Sequence, residues 1–402
     1  MDSPSTGPGS APGAPTAPLR MLPAERRSLG ALTAIYAARM LGLFLLLPVL
    51  ALYARRLPGA TPLLLGLAFG AYALTQACLQ VPFGTLSDRL GRRPVILAGL
   101  VLYVAGSVIG ALATSIWGLI AAGLVQGAGA ISGPVTALLA DLTRSEVRTR
   151  AMAVIGIGIG GSFVLSLVAA PILEPLIGVP GIFWILAGLA GLCIVLLYAV
   201  VPPPPPVAVP ADRPPLTESF TAALVPYYLG MFALNFVLRA TFYGVPLALT
   251  DVLHVAVHDH WKTYLGVFAA SLPPTVGFVL LTERAPRPGE VLRFGVAFLM
   301  IALGWLAFGY GSPVGLWTAL VIFFAAFNYL EARLPARLSQ VAPPALRGAA
   351  LGVFATAQFL GAFAGAMAAG ALYGSPMGLV GVFGGASLVA LAWLLLARPG
   401  RD

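Results

Sequence analysis

Apolar residues run through this chain in long uninterrupted stretches, and polar positions collect in the short segments between them. Twelve stretches are long enough to cross roughly 30 Å of hydrocarbon as helices. They fall at approximately 30–54, 63–83, 94–113, 116–140, 151–173, 181–201, 220–249, 263–281, 291–310, 314–339, 349–373 and 377–397. A helix satisfies its own backbone in a solvent without water. The pattern therefore predicts an all-α integral membrane protein with twelve transmembrane helices. The short alternating segments of a membrane barrel are absent from it.

The longest polar interruption is proline-rich, from Pro202 to Ser219, with consecutive prolines from Pro202 to Pro206. Such a segment is extended and semi-rigid, without a core of its own. It separates six spans from six. Weak repeats connect the two sets: Arg39 in span 1 matches Arg239 in span 7, and "RTRAMAV" (148–154) matches "RGAALGV" (347–353). The expected organisation is a disordered cytoplasmic tail at 1–28, an N-terminal six-helix bundle at 29–201, a linker at 202–218 and a C-terminal six-helix bundle at 219–402. Two pseudo-symmetric six-helix bundles are the anatomy of a rocking transporter.

Composition agrees with a bilayer protein. The 402 residues are 59% hydrophobic and 9% charged, against about 45–50% and a quarter in soluble domains. The net charge of +9 raises the question of nucleic acid, and its distribution answers it. Of 23 Lys and Arg, 18 fall on the side of the tails and the loops joined to them, and Arg55, Arg56 and Lys262 fall on the other. That bias places both termini in the cytoplasm, and the basicity is a topology signal with no nucleic-acid partner implied. The first run is too long for a signal-peptide core. Cys78 and Cys193 both lie inside spans, so no disulfide framework follows.

Some glycines imitate known fingerprints. Gly156, Gly158, Gly160 and Gly161 follow no strand and sit inside a span, which excludes a dinucleotide site. Gly156 with Gly160, and Gly361 with Gly365, make four-residue steps suited to close helix packing. Pro48, Pro82, Pro134, Pro171, Pro246, Pro273 and Pro274 free backbone groups that neighbouring helices or a wet cavity must satisfy.

One short loop gathers charge and glycine together. "GTLSDRLGRR" between spans 2 and 3 holds Gly84, Asp88, Arg89, Gly91, Arg92 and Arg93. Glycine allows a tight reversal, and Asp88 can pair with the arginines or face a positive helix end. The stretch closely resembles the Gly-x-Leu-x-Asp-Arg-x-Gly-Arg-Arg signature of the major facilitator superfamily. "RMLGLFLLLPVL" (39–50) and "FNYLEARLPARL" (327–338) resemble the YajR-type branch of its drug:proton antiporter-like exporters. The resemblance implies that the loop latches one half against the other when the cytoplasmic side is closed. A plain topology-determining basic loop would leave the Asp and the paired glycines unexplained. Asp141 and Arg148, at the end of span 4 and the start of span 5, suit either a second latch or a solvated loop. "QGAGA" (126–130) matches the end of the superfamily's span-4 motif, but glycine stands at 123 where the motif has an arginine tied to proton transfer. Pro171 is kept from the antiporter signature of span 5, without its following glycine pair. The resemblance thus carries transport further than antiport.

Arg39, Arg239 and Glu331 lie on spans 1, 7 and 10, which line the central cavity in the superfamily. A charge at mid-membrane faces a partner or water as a rule. Glu331 is the expected proton-coupling group, with Arg39 or Arg239 tuning it or attracting an anionic solute; a fixed ion pair between the halves is the competing reading. Tyr36, Gln126, Asn235, Tyr243, Asn328 and Gln358 are candidates for the substrate path, or for bonds across helices. His254, His258 and His260 share one loop, where spacing would allow a metal and simple exposure is the plainer reading, so no metal site is assigned. No Ser-His-Asp set or phosphate loop is present, so the chain is not expected to be an enzyme, needs no cofactor and would draw on a proton gradient.

The expected protein is a monomeric secondary transporter working by alternating access on a small-molecule substrate, with proton-coupled efflux of apolar or amphipathic compounds in the foreground. A facilitator or importer of a small anionic metabolite, a lipid flippase and a membrane scaffold are the competing functions.

Overall fold

The computed structural model describes residues 21–203, 216–285, 288–343 and 346–396, and every regular element among them is helical. The first half holds α1 (Pro23–Leu45), α2 (Leu50–Ala54), α3 (Pro62–Leu90), α4 (Arg92–Leu112), α5 (Ile116–Ala128), α6 (Ser132–Asp141) and α7 (Ser145–Ala199). The second holds α8 (Val225–Leu247), α9 (His260–Arg284), α10 (Pro288–Gly309), α11 (Pro313–Val341), α12 (Arg347–Tyr373) and α13 (Gly378–Leu396). Most of the 1–28 tail and of the proline-rich linker lies outside the described residues.

Helix starts follow local chemistry. Thr61, Ser115 and Ser312 each accept a hydrogen bond from the backbone N–H three residues on, at 3.2, 3.3 and 3.5 Å. Such caps satisfy groups that the first turn leaves free. Pro62 and Pro313 open their helices where the missing N–H costs nothing. The first helix begins at Pro23, ahead of the boundary expected from the apolar pattern. Glu25 explains the correction, because its carboxylate accepts from Leu22 N (2.7 Å) and from Arg144 Nε (2.9 Å), pinning the helix start to the head of α7.

The 55-residue α7 is two spans. Gly178 breaks it with φ +67°, a conformation glycine adopts readily. Arg93 donates to the Leu197 carbonyl (3.0 Å), so the second arm of α7 returns to the end where the first began. The reversal between α12 and α13 uses Gly378 with φ +53°, 200 positions beyond Gly178. The repeat sensed in the sequence therefore extends to the backbone at its turns. Span 4, expected as one helix, is divided at Gly129–Ile131 into α5 and α6, and span 1 at 46–49 into α1 and α2.

The face of the molecule that carries Gly84–Arg93 is termed the basic face, and the opposite end the far face. The loop expected there is almost wholly helical, since α3 runs to Leu90 and α4 starts at Arg92, leaving Gly91 to make the turn. Small residues let α3 and α12 interlock at the far face. A Cβ on Gly66 would stand 3.2 Å from the Gly370 Cα, and one on Gly374 only 3.1 Å from Pro62 Cβ. At the basic ends of the same two helices, Gly84 and Gly348 have nothing within 4 Å of such a position. The halves are closed together at the far face, and at the basic face these two glycine positions stand unopposed.

Candidate functional site

The loop on the basic face is built around Arg92. Gly91 turns the chain with φ +93° between α3 and α4, where a side chain would be strained. Arg92 then reaches back to Asp88, bonds Ser87 Oγ (2.8 Å) and joins Asp141 Oδ2 on α6 (3.2 Å). One guanidinium thus gathers Asp88 and Asp141, which the sequence separates by 53 positions. Arg93 packs over the Tyr198 ring at 4.8 Å. Arg148 donates to the Ala140 carbonyl (3.0 Å), and Arg89 is exposed. These contacts all lie within the first half.

Deeper in the bilayer, the two arginines of the repeat have unlike surroundings. Arg39 is 4% exposed. It donates to Gln76 Oε1 (2.7 Å), to the Gly129 carbonyl (2.5 Å) and to Ser132 Oγ (3.3 Å). The carbonyl at Gly129 is available because α5 ends there. Gln76 passes its own donor to Gln80 Oε1 (3.0 Å). Tyr72, Gln76 and Gln80 recur at i, i+4 along one face of α3, a spacing that could have marked this network in the sequence. Tyr36 stands near Arg39 with its hydroxyl toward Ser132.

Arg239 is 7% exposed and belongs to α8, yet it lies over the Phe69 ring of α3 at 5.5 Å. Among the described residues no carboxylate or hydrogen-bond acceptor reaches it. An arginine in mid-bilayer costs about 2.5–3.5 kcal/mol on insertion scales. Its guanidinium lines a cavity of about 30 Å³ with Gly42, Leu46, Phe69, Tyr72 and Gln126, room for one or two water-sized groups. Gly123 also lines it. Gln126 donates to Ser107 Oγ (2.8 Å) and is fully enclosed.

Glu331 on α11 is half-buried and separate from both arginines. Its Oε1 accepts from Gln358 Nε2 on α12 (3.3 Å), and its Oε2 is enclosed with no partner. The Asn328 amide nitrogen, three positions earlier, is likewise enclosed and unpartnered. No ion pair joins Glu331 to Arg39 or Arg239 among the described residues, so the reading of a fixed ion pair between the halves is not supported. Asn235 turns back onto Met231 of its own helix. Tyr243 instead donates to the Pro62 carbonyl (3.2 Å) across the halves at the far face.

An aromatic knot closes the central space toward that face. Phe163 of α7 meets Phe242, Phe268 and Phe324 of the second half at 6.1, 6.2 and 6.3 Å between ring centres. Above it, Arg55 and Asp251 form a two-pronged salt bridge (2.5 and 2.9 Å), and the carboxylate raises the guanidinium above its usual range. Sequence reasoning treated Arg55 only as a topology marker and passed over Phe69, Tyr72 and Phe163. The histidines do not converge. His254 has φ +53°, His258 is exposed, and His260 is buried against the Val255 carbonyl (3.2 Å). No group of three or more His, Cys, Asp or Glu suited to a metal occurs among the described residues.

Two pseudo-symmetric helical halves that interlock at one face are the architecture of a membrane transporter of the alternating-access class. The profile of the Major Facilitator Superfamily matches residues 32–366, and the chain belongs to that superfamily: a multi-pass transporter, not an enzyme. It is 39% identical over 391 residues to the inner membrane transport protein YajR of Escherichia coli K12, covering 95% of this chain and 85% of that one. The multidrug resistance protein MdtH of Yersinia enterocolitica is 26% identical, covering 88% and 91%. A bacterial homologue of the human lysosomal transporter Spinster, solved inward-facing and occupied, superposes with a TM-score of 0.76 at 17% identity, covering 94% of this chain and 96% of that one. The human organic anion transporter MFSD10 gives 0.68 at 18% identity, covering 94% and 100%.

Proposed function

We propose that the chain exports small apolar or amphipathic compounds from the bacterial cytoplasm in exchange for protons, with Glu331 as the proton carrier. The observation that carries this reading is the Glu331 carboxyl: enclosed on one oxygen, bonded by a neutral amide on the other, and tied to no cation among the described residues. A carboxyl in that setting suits the neutral form, whereas its charged form calls for water or another donor. Loading a proton from one side and losing it to the other requires such a group to change its surroundings as the halves rock. The charge bias supports a cytoplasmic basic face, so in this reading the contacts at the far face close the side away from the cytoplasm. In this reading the Asp88–Arg92–Asp141 cluster, with Gly84, Arg89, Gly91, Arg93 and Arg148 around it, latches the second half when the basic face closes.

The test is transport in proteoliposomes carrying an imposed pH gradient and a small library of lipophilic cations and neutral amphiphiles. Wild type is expected to move substrate against its gradient and release protons on the opposite side. Glu331→Gln should abolish the proton flux while keeping the wild-type melting behaviour. Unchanged proton flux in that variant would overturn the assignment.

A further inference from the structure

The unequal fate of the two arginines has a cause in the repeat. At the 200-residue offset, the acceptors of Arg39 (Gln76, Gly129 and Ser132) become Val276, Tyr329 and Ala332. The second half lacks the side chains with which the first satisfies its arginine. Arg239 is accordingly carried across the interface into a cavity of the first half. Its walls there are largely apolar. Tyr72 lines the same cavity, is 8% exposed, and its hydroxyl is enclosed without a hydrogen-bond partner. Both guanidiniums stand near enough to act on that hydroxyl electrostatically. No carboxylate lines the cavity. The site therefore holds one unpaired cation, Arg239, and an unused hydroxyl donor, with Arg39 behind the Tyr72 ring at 5.8 Å and nothing negative among the described residues that line it. Buried charge is stable only when paired, and the space admits a small group.

We propose that this cavity binds a compact monovalent anion, either a halide ion or the carboxylate group of a bound solute, held by the Arg239 guanidinium and the Tyr72 hydroxyl. The anion would satisfy a cation of one half with a donor of the other, and so favour the conformation closed at the far face. This inference is independent of transport direction and of Glu331.

The experiment is thermal melting of the purified full-length chain in detergent. Chloride, bromide or acetate replaces a bulky sulfonate anion at constant ionic strength, which keeps the Arg55–Asp251 pair equally screened. A ligand of the folded state raises the melting midpoint in a saturable way. A rise of several degrees with the halides and acetate alike, but not with the sulfonate, is expected for a compact-anion site. A response to the halides alone identifies an inorganic ion, and one to acetate alone a carboxylate group. Tyr72→Phe should weaken the apparent affinity several-fold, and Arg239→Gln should remove the response. The proposal is overturned if no saturable rise occurs, or if the rise survives unchanged in Tyr72→Phe. The tyrosine variant keeps the ring and stands as the decisive comparison should Arg239→Gln fail to fold.

Discussion

Two arginines at matched positions make opposite predictions when replaced. Arg39 serves three neutral acceptors, including a carbonyl freed by the helix break at Gly129. Arg39→Leu strands all three, and at the usual cost of lost hydrogen bonds to a charged donor the loss of stability is about 2–3 kcal/mol. Arg239 serves none among the described residues. Arg239→Leu removes an uncompensated charge, so it should be neutral or stabilising in a buffer without compact anions. Melting of both variants under one set of conditions checks the contrast; equal destabilisation would contradict it. The sequence made both arginines visible, because a charge inside an apolar run stands out. It could not show their partners, which are neutral in one case and an aromatic ring of the opposite half in the other.

At the scale of helices, glycine pairs of identical spacing turn out to have different surroundings. A Cβ at Gly365 would strike the Phe236 carbonyl of α8, and one at Gly361 the Phe232 carbonyl. On α7, Gly156 and Gly160 have nothing within 4 Å, which corrects the expectation that they pack closely. Gly365→Ala should therefore cost about 1–3 kcal/mol through overpacking, whereas Gly160→Ala should gain up to about 1 kcal/mol from helix propensity. Unfolding in denaturing detergent measures both, and a harmless Gly365→Ala would refute the seam. Spacing alone could not separate the pairs, because it fixes which residues share a helix face and leaves open what lies opposite. The twelve spans were legible for a simpler reason: bilayer thickness sets run length regardless of neighbours. The break at Gly129–Ile131 was not, since its small and apolar residues leave hydropathy unchanged, and the one at 46–49 showed only as Pro48 within an unbroken apolar run.

For the whole molecule, closure at the far face rests on four unlike contacts: the glycine seam of α3 and α12, the Phe163 aromatic knot, the Tyr243–Pro62 hydrogen bond, and the Arg55–Asp251 bridge. The bridge is partly solvated, so it contributes about 0.2–1 kcal/mol. Asp251→Asn should shift the population toward far-face opening by up to about fivefold, seen as longer spin-label distances between the far-face ends of α3 and α12. An unchanged distribution would assign closure to the seam, the knot and the tyrosine. The Arg92 hub on the basic face was half legible: the loop signature marked Asp88 and Arg92, and only the fold brought Asp141 to them.

Because Arg239 is anchored to one half and lodged in the other, parting the far face must draw a positive charge out of a largely apolar recess while the membrane is energised. One elementary charge crossing the full field exchanges about 2.3 kcal/mol per 100 mV, and a fraction of that path exchanges the same fraction of the work. Whatever part of that path runs along the membrane normal makes the rocking step sensitive to voltage, and an anion paired with the lodged arginine would cancel it.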